Sequence, residues 1–260
     1  MFHQRHQGSP ATILLLTAPF LAVGTTGAIL AESPKPPESR SMLIQPQELR
    51  PELQRAGLRI VDTRPESDYA TGHIPGAVRV EVKAWQQLGA KDNGFHDAKA
   101  WGKEVGLLGI GPDSHVVVYG SSLPDAARIW WTLKYLGVFD VRILDGGWAL
   151  WVKDKRPTST SSPAVAATKF EAKFQADRLE EIDSLKKSLN AGKVTVVDTR
   201  SQDEFTGKEV RGKRGGHIPG AKLLEWKEML GEDGRFKSPE QLRELFKRRG
   251  IQPDQTAVTC

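Results

Sequence analysis

The residues of this chain that could do chemistry are one sulfur, two acid–arginine pairs, two histidines and a short run of cations. Cys260 is the only cysteine among 260 residues, and it closes Thr256-Ala-Val-Thr-Cys260, which reads as a β-strand. A thiol at a strand end becomes a nucleophile when backbone N–H groups or nearby cations hold it as thiolate; a buried structural cysteine is the alternative. Asp62 and Asp198 each follow apolar residues and precede Thr-Arg, the setting of a carboxylate that accepts hydrogen bonds from arginine and neighbouring backbone. His73 and His217 lie in two copies of Gly-His-Ile-Pro-Gly-Ala and read either as general bases or as packed turn residues. Lys208, Arg211, Lys213 and Arg214 crowd in front of Gly215, and guanidinium groups bind oxyanions in bidentate fashion. With no metal-ligand cluster, phosphate-binding glycine loop or dinucleotide motif, no cofactor and no metal are expected.

These residues are placed by a duplication. Ile60-Val-Asp-Thr-Arg64 recurs as Val196-Val-Asp-Thr-Arg200, Gly72-His-Ile-Pro-Gly-Ala77 recurs as Gly216 to Ala221, and Trp85, Phe95 and Pro112 answer Trp226, Phe236 and Pro253. Asp62 and Asp198 are 136 residues apart while Gly72 and Gly216 are 144 apart, so the second copy holds eight extra residues, within Thr206 to Gly215. Only the second copy contains a thiol. The histidine and aspartate motifs occur unchanged in the thiol-free copy, which favours structural roles for both over a part in catalysis.

Within the first copy, short apolar runs alternate with helical patterns. Leu58 to Asp62, Ala77 to Val82, His115 to Tyr119 and Val141 to Leu144 read as strands. Pro65 to Ala70 reads as a turn or short helix; Lys99 to Leu108 and Pro124 to Leu136 read as helices ended by Gly109 and Gly137. Alternating strands and helices predict an α/β fold with a mostly parallel sheet in each copy. The functional loops then lie beyond the carboxyl ends of the strands, where the one after Tyr119 sits. Residues 155–176, rich in Pro, Ser and Thr without apolar periodicity, predict a linker between domains at 42–154 and 177–260.

A net charge of +5 is spread over interleaved Lys, Arg, Asp and Glu, so nucleic acid is not an expected partner. Basic residues followed by an apolar stretch and small residues up to Ala31 predict a signal peptide over residues 1–31 and a secreted or periplasmic protein. An uncleaved membrane anchor is the alternative.

The ordered set Val-Asp-Thr-Arg, Gly-His-Ile-Pro-Gly-Ala, Ala127-Arg-Ile-Trp-Trp131, Leu144-Asp-Gly-Gly-Trp148 and Phe236-Lys-Ser-Pro-Glu-Gln-Leu-Arg243, twice over for the first two, resembles the rhodanese family, specifically the tandem thiosulfate and 3-mercaptopyruvate sulfurtransferases. The resemblance implies a structural first domain and a second domain whose cysteine passes sulfane sulfur from a small anionic donor to cyanide or a thiol through a persulfide. It also implies substrate contact by Arg214 or Arg211, with a solvated basic loop as the alternative, and a monomer. A non-catalytic binding or regulatory module is the second reading, and a phosphatase or arsenate reductase of related fold a third.

Two alignments are open for the sulfur. A constant offset of 141 residues between Trp85 and Trp226 carries Tyr119 onto Cys260, which puts the family's nucleophile position, equivalent to Gly120, at 261. If the second copy has instead lost one strand residue, Cys260 is the nucleophile. The chain is expected to be a fragment with an incomplete second domain, inactive and prone to aggregate at this length.

Overall fold

Runs of β-branched residues form the middle of the first copy. The computed structural model describes residues 41–260; the expected signal peptide lies outside them. Strands β1 (Leu43–Ile44), β2 (Leu58–Asp62), β3 (Ala77–Arg79), β4 (His115–Tyr119) and β5 (Asp140–Leu144) pair in the order β1-β5-β4-β2-β3, every pair parallel. Because side chains alternate along a strand, β4 serves both faces. Val116 and Val118 join a layer with Trp101, Val105, Ile129 and Leu133, while Val117 and Tyr119 join Ile44, Leu49, Ile74 and Trp151. A strand buried on both sides must be apolar throughout, which is why His-Val-Val-Val-Tyr shows no polar alternation.

The helices are α1 (Pro46–Glu52), α2 (Glu66–Thr71), α3 (Val82–Gly89), α4 (Ala98–Leu107), α5 (Leu123–Tyr135) and α6 (Gly147–Lys153). Asp97 caps α4 by accepting a hydrogen bond from Ala100 N–H at 2.9 Å, and α5 opens with Pro124 and Asp125 in its first turn. One expected element differs. Ala77 to Val82 is not a single strand: β3 ends at Arg79, and Val82 starts α3. Its partner β2 stops at Asp62, whose carbonyl takes a last hydrogen bond from Val80 N–H at 2.9 Å; beyond that point, helix lets Val82 and Trp85 reach the core together.

The second copy has α7 (Ile182–Asn190), β6 (Val194–Asp198), α8 (Gln202–Thr206), β7 (Lys222–Leu223), α9 (Pro239–Arg248) and β8 (Thr256–Thr259), with the parallel order β7-β6-β8. Its core is small: Val197, Leu224 and Leu245, backed by Met229, Phe246 and Ile251. The fold is the α/β class read from the sequence. No helix among the described residues is long and apolar enough to cross a membrane.

The segment read as a linker is an ordered strap on the first copy. Ser159 and His73 exchange two backbone hydrogen bonds of 2.8 Å, Thr168 N–H donates to Gly106 O at 3.0 Å, Lys173 N–H to Leu136 O at 2.9 Å and Gln175 N–H to Tyr135 O at 2.8 Å. Phe170, Ala172 and Phe174 cover the core beneath. The approach requires bare backbone on α4: a Cβ at Gly102 would stand 2.7 Å from Phe170 O, and one at Gly106 2.4 Å from Thr168 O. Alanine for a mid-helix glycine gains about 1 kcal/mol of propensity, whereas forced overpacking costs about 1–3 kcal/mol. Gly106→Ala is therefore expected to lower stability by up to about 2 kcal/mol and to speed proteolysis between residues 160 and 175. Urea unfolding with limited digestion checks both; a variant more stable than the parent contradicts the close strap.

Candidate active site at the carboxyl end of the second sheet

The two acid–arginine pairs have the same geometry in different surroundings. In the first copy Arg64 Nη2 donates to Asp62 Oδ2 at 2.6 Å and to Gly72 O at 2.7 Å, while Arg64 N–H donates to Asp62 Oδ1 at 2.9 Å. In the second, Arg200 Nη2 donates to Asp198 Oδ2 at 2.5 Å and to Gly216 O at 2.9 Å, with Arg200 N–H to Asp198 Oδ1 at 3.1 Å. Each arginine thus ties its strand end to the following Gly-His turn, the structural role read from the repeat. Both aspartates are fully buried, but the Arg64 side chain is 3% exposed and that of Arg200 is 37%. Burial acts against ionisation of Asp198, yet its bonds to Arg200 hold its pKa below the ordinary carboxylate value.

The histidines repeat as faithfully. His73 Nδ1 lies 2.8 Å from Tyr69 O with its ring stacked on Tyr69 at 3.9 Å; His217 Nδ1 lies 2.8 Å from Phe205 O with its ring on Phe205 at 3.6 Å. His73 is fully buried, whereas His217 keeps the same stack and Nδ1 contact at an exposed position.

Backbone hydrogen bonds settle the register of the sulfur. Thr63 N–H donates to Tyr119 O at 2.9 Å, and Thr199 N–H donates to Cys260 O at 3.0 Å; the two threonine hydroxyls donate to the same carbonyls at 3.2 and 3.0 Å. The β2–β4 ladder pairs Val61 with Val118 and Asp62 with Tyr119, and the β6–β8 ladder pairs Val197 with Thr259. Cys260 therefore stands in the place of Tyr119, one residue before the equivalent of Gly120. The β6–β8 ladder and the Thr199 bonds reach Cys260 without a gap.

The first copy's strand end is closed to chemistry. Tyr119 is fully buried; its hydroxyl donates to Asp62 Oδ2 at 2.5 Å and accepts from Ile74 N–H at 3.1 Å. Burial and the Asp62 carboxylate push its pKa far above the usual phenol value. The Trp148 ring covers the Arg64 guanidinium at 3.9 Å, and Trp148 N–H donates to Gly120 O at 3.0 Å. A Cβ at Gly120 would meet Thr63 Oγ1 at 2.1 Å, so no side chain fits where a nucleophile would go.

Cys260 is exposed. Partial desolvation of the sulfur and the Asp198 carboxylate push the thiol pKa up, opposed by the Arg200 guanidinium. Of the cations in the insertion, Arg211 directs Nε to Glu204 at 3.1 Å and Glu209 at 2.9 Å, and Lys208 pairs with Asp203 at 3.3 Å. Arg214 is exposed, two residues before the Gly216 carbonyl that Arg200 holds. The structure thus keeps Arg211 on the carboxylates of buried Glu204 and exposed Glu209 and leaves Arg214 exposed. Glu204, overlooked in the sequence, completes a capping box with Ser201 at the start of α8; Ser-x-x-Glu is the signal that could have found it. No group of acidic, histidine or cysteine residues among the described residues could hold a metal ion.

Comparisons with known proteins agree with this arrangement. The rhodanese-like domain model matches residues 45–154 and 181–260. The chain is 35% identical over 209 residues to the sulfur carrier protein TtuD of Thermus thermophilus, covering 73% of this chain and 71% of that one. It is 30% identical over 201 residues to human 3-mercaptopyruvate sulfurtransferase, covering 74% and 68%. The crystal structure of SseA from Escherichia coli, described with the fold and mechanism of 3-mercaptopyruvate sulfotransferases, superposes with a TM-score of 0.73 at 27% identity, covering 84% of this chain and 87% of that one. A duplicated α/β domain with a closed, thiol-free first site and a thiol at the second, matched by both copies of the family model, makes this chain a member of the rhodanese family.

Proposed function

We propose that this protein transfers sulfane sulfur from a small anionic donor, thiosulfate or 3-mercaptopyruvate, to cyanide or a thiol, with the chemistry at the carboxyl end of β8. With thiosulfate, the Cys260 thiolate attacks the outer sulfur; the S–S bond breaks and sulfite leaves with the electron pair. Cyanide then attacks the outer sulfur of the persulfide, releasing thiocyanate and returning the thiolate. The first copy serves as scaffold. The observation carrying the reading is the exchange at one position of the repeat: Tyr119, sealed against Asp62, in one copy, and a thiol in the other.

The first copy, thiol-free and sealed at Tyr119, keeps the same fold without a nucleophile, which favours a second reading, a module that binds partners without catalysis. The test is thiocyanate release from thiosulfate and cyanide. Sulfur transfer predicts turnover that rises with pH through a midpoint above the ordinary thiol pKa of about 8.5 and that falls at least about 100-fold in Cys260→Ser. No thiocyanate from either donor leaves the binding module, and equal turnover in the serine variant removes Cys260 from the reaction.

A further inference from the structure

The second copy's site is tied to the first copy through a carboxylate. Asp145 directly follows β5 and is 5% exposed. Gln45 Nε2 donates to its Oδ2 at 2.8 Å, and the backbone N–H of Phe236, a residue of the other copy, donates to its Oδ1 at 2.9 Å. Phe236 closes a hairpin in which Leu230 and Phe236 form an antiparallel bridge and Gly231 N–H donates to Arg235 O at 2.8 Å. Lys237 clamps the hairpin to the turn before it: its N–H donates to Met229 O at 2.9 Å and its Nζ to Glu228 O at 2.6 Å. That turn, Trp226–Met229, begins where Trp226 N–H donates to Thr199 O at 3.0 Å. Thr199 in turn donates its N–H and its hydroxyl to Cys260 O, both at 3.0 Å. An unbroken series of hydrogen bonds and short chain segments runs from the thiol-free copy to the residue that carries the thiol.

We propose that Asp145 is a positioning residue for the second copy's site: it holds the Trp226-to-Phe236 segment, and through Thr199 fixes the end of β8. The first copy then contributes a residue that acts on the sulfur's position without touching it. Two acceptor oxygens suit the task, one for each donor, and near-complete burial spares them competition from water. The functional meaning rests on the β8 end being the sulfur site; the mechanical coupling does not.

The experiment reads that coupling without turnover, so its failure is distinct from a failure of thiocyanate release. Hydrogen exchange is followed at the Trp226 and Phe236 amides, with Val117 and Val118 as reference, together with the rate of Cys260 alkylation by iodoacetamide. Asp145→Ala should speed exchange at Trp226 and Phe236 about tenfold and change the alkylation rate about threefold to tenfold, with the reference amides unmoved. Asp145→Asn should stay within about twofold of the parent, because its amide oxygen still accepts from Phe236 and its NH₂ can donate to a flipped Gln45. Asp145→Ser, too short to reach Phe236, is read alongside in case the alanine variant does not fold. Unchanged alkylation, equal acceleration at Val117 and Val118, or no rescue by asparagine each overturns the proposal.

Discussion

Arg64→Met is expected to destabilise the protein by about 3–5 kcal/mol, because it strands a fully buried carboxylate. Asp62 has no contact with solvent, and Arg64 supplies it with Nε and Nη2 contacts at 3.1 and 2.6 Å while pinning the Gly72 carbonyl. The Tyr119 hydroxyl and the Arg64 backbone N–H remain as donors to Asp62 after the change, but neither carries a positive charge. The second copy supplies an internal control. At Arg200 the side chain is 37% exposed, so water can replace part of what the guanidinium gave. Arg200→Met should cost only about 1–2 kcal/mol. Urea unfolding of both variants, and of Asp62→Leu/Arg64→Met, tests the account: the double variant should recover part of the loss, and equal costs at the two arginines would count against it.

Trp101→Ala is expected to cost a similar amount, about 3–5 kcal/mol, for a different reason. The ring is fully buried on α4, edge-on to Trp85 at 5.3 Å and stacked with Phe95 at 6.0 Å. Its Nε1–H donates to Gly94 O at 2.8 Å, in the short turn where Asn93 adopts a left-handed conformation with φ 55°. Alanine leaves a cavity and a carbonyl without its donor. Trp101→Phe separates the two effects: it refills most of the space and should retain a cost of about 1–3 kcal/mol for the orphaned carbonyl. Denaturation midpoints for the pair decide it, and a loss below about 1.5 kcal/mol for alanine would mean that the core collapses to fill the gap.

Much of this fold is legible in the sequence wherever a local rule and the core agree. β2, β4 and β5 are apolar runs buried on both faces; α4 and α5 carry their caps in Asp97, Pro124 and Asp125. The repeat separates structural residues from reactive ones, because the thiol-free copy keeps the same aspartate, arginine and histidine, and the geometry of His73 and His217 bears that out. Illegibility begins where distant segments decide. Val80 and Val82 alternate as a strand would, yet β2 ends first and leaves Val82 to a helix. Pro51 lies inside α1, a position that reads as a helix breaker, but the helix is nearly over by then. The strap has no periodicity of its own, since it follows glycines on α4. Nothing local marks Asp145 as a bond to a residue 91 positions away. For the sulfur, the repeat alone leaves two registers, and the bond that the Cys260 carbonyl accepts from Thr199 N–H is seen only in the fold.

The closed strand end of the first copy is a filled socket. A cysteine introduced at Gly120 alone would drive its Cβ into Thr63 Oγ1 at 2.1 Å, beneath a tryptophan that grips the same residue's carbonyl, and beside a tyrosine that already takes Asp62. A side chain there requires Thr63 to give way, and Thr63 holds the Tyr119 carbonyl through both its N–H and its hydroxyl, so the shift loosens a buried polar network. The strand end of the first half is therefore closed by packing as well as by the lack of a thiol.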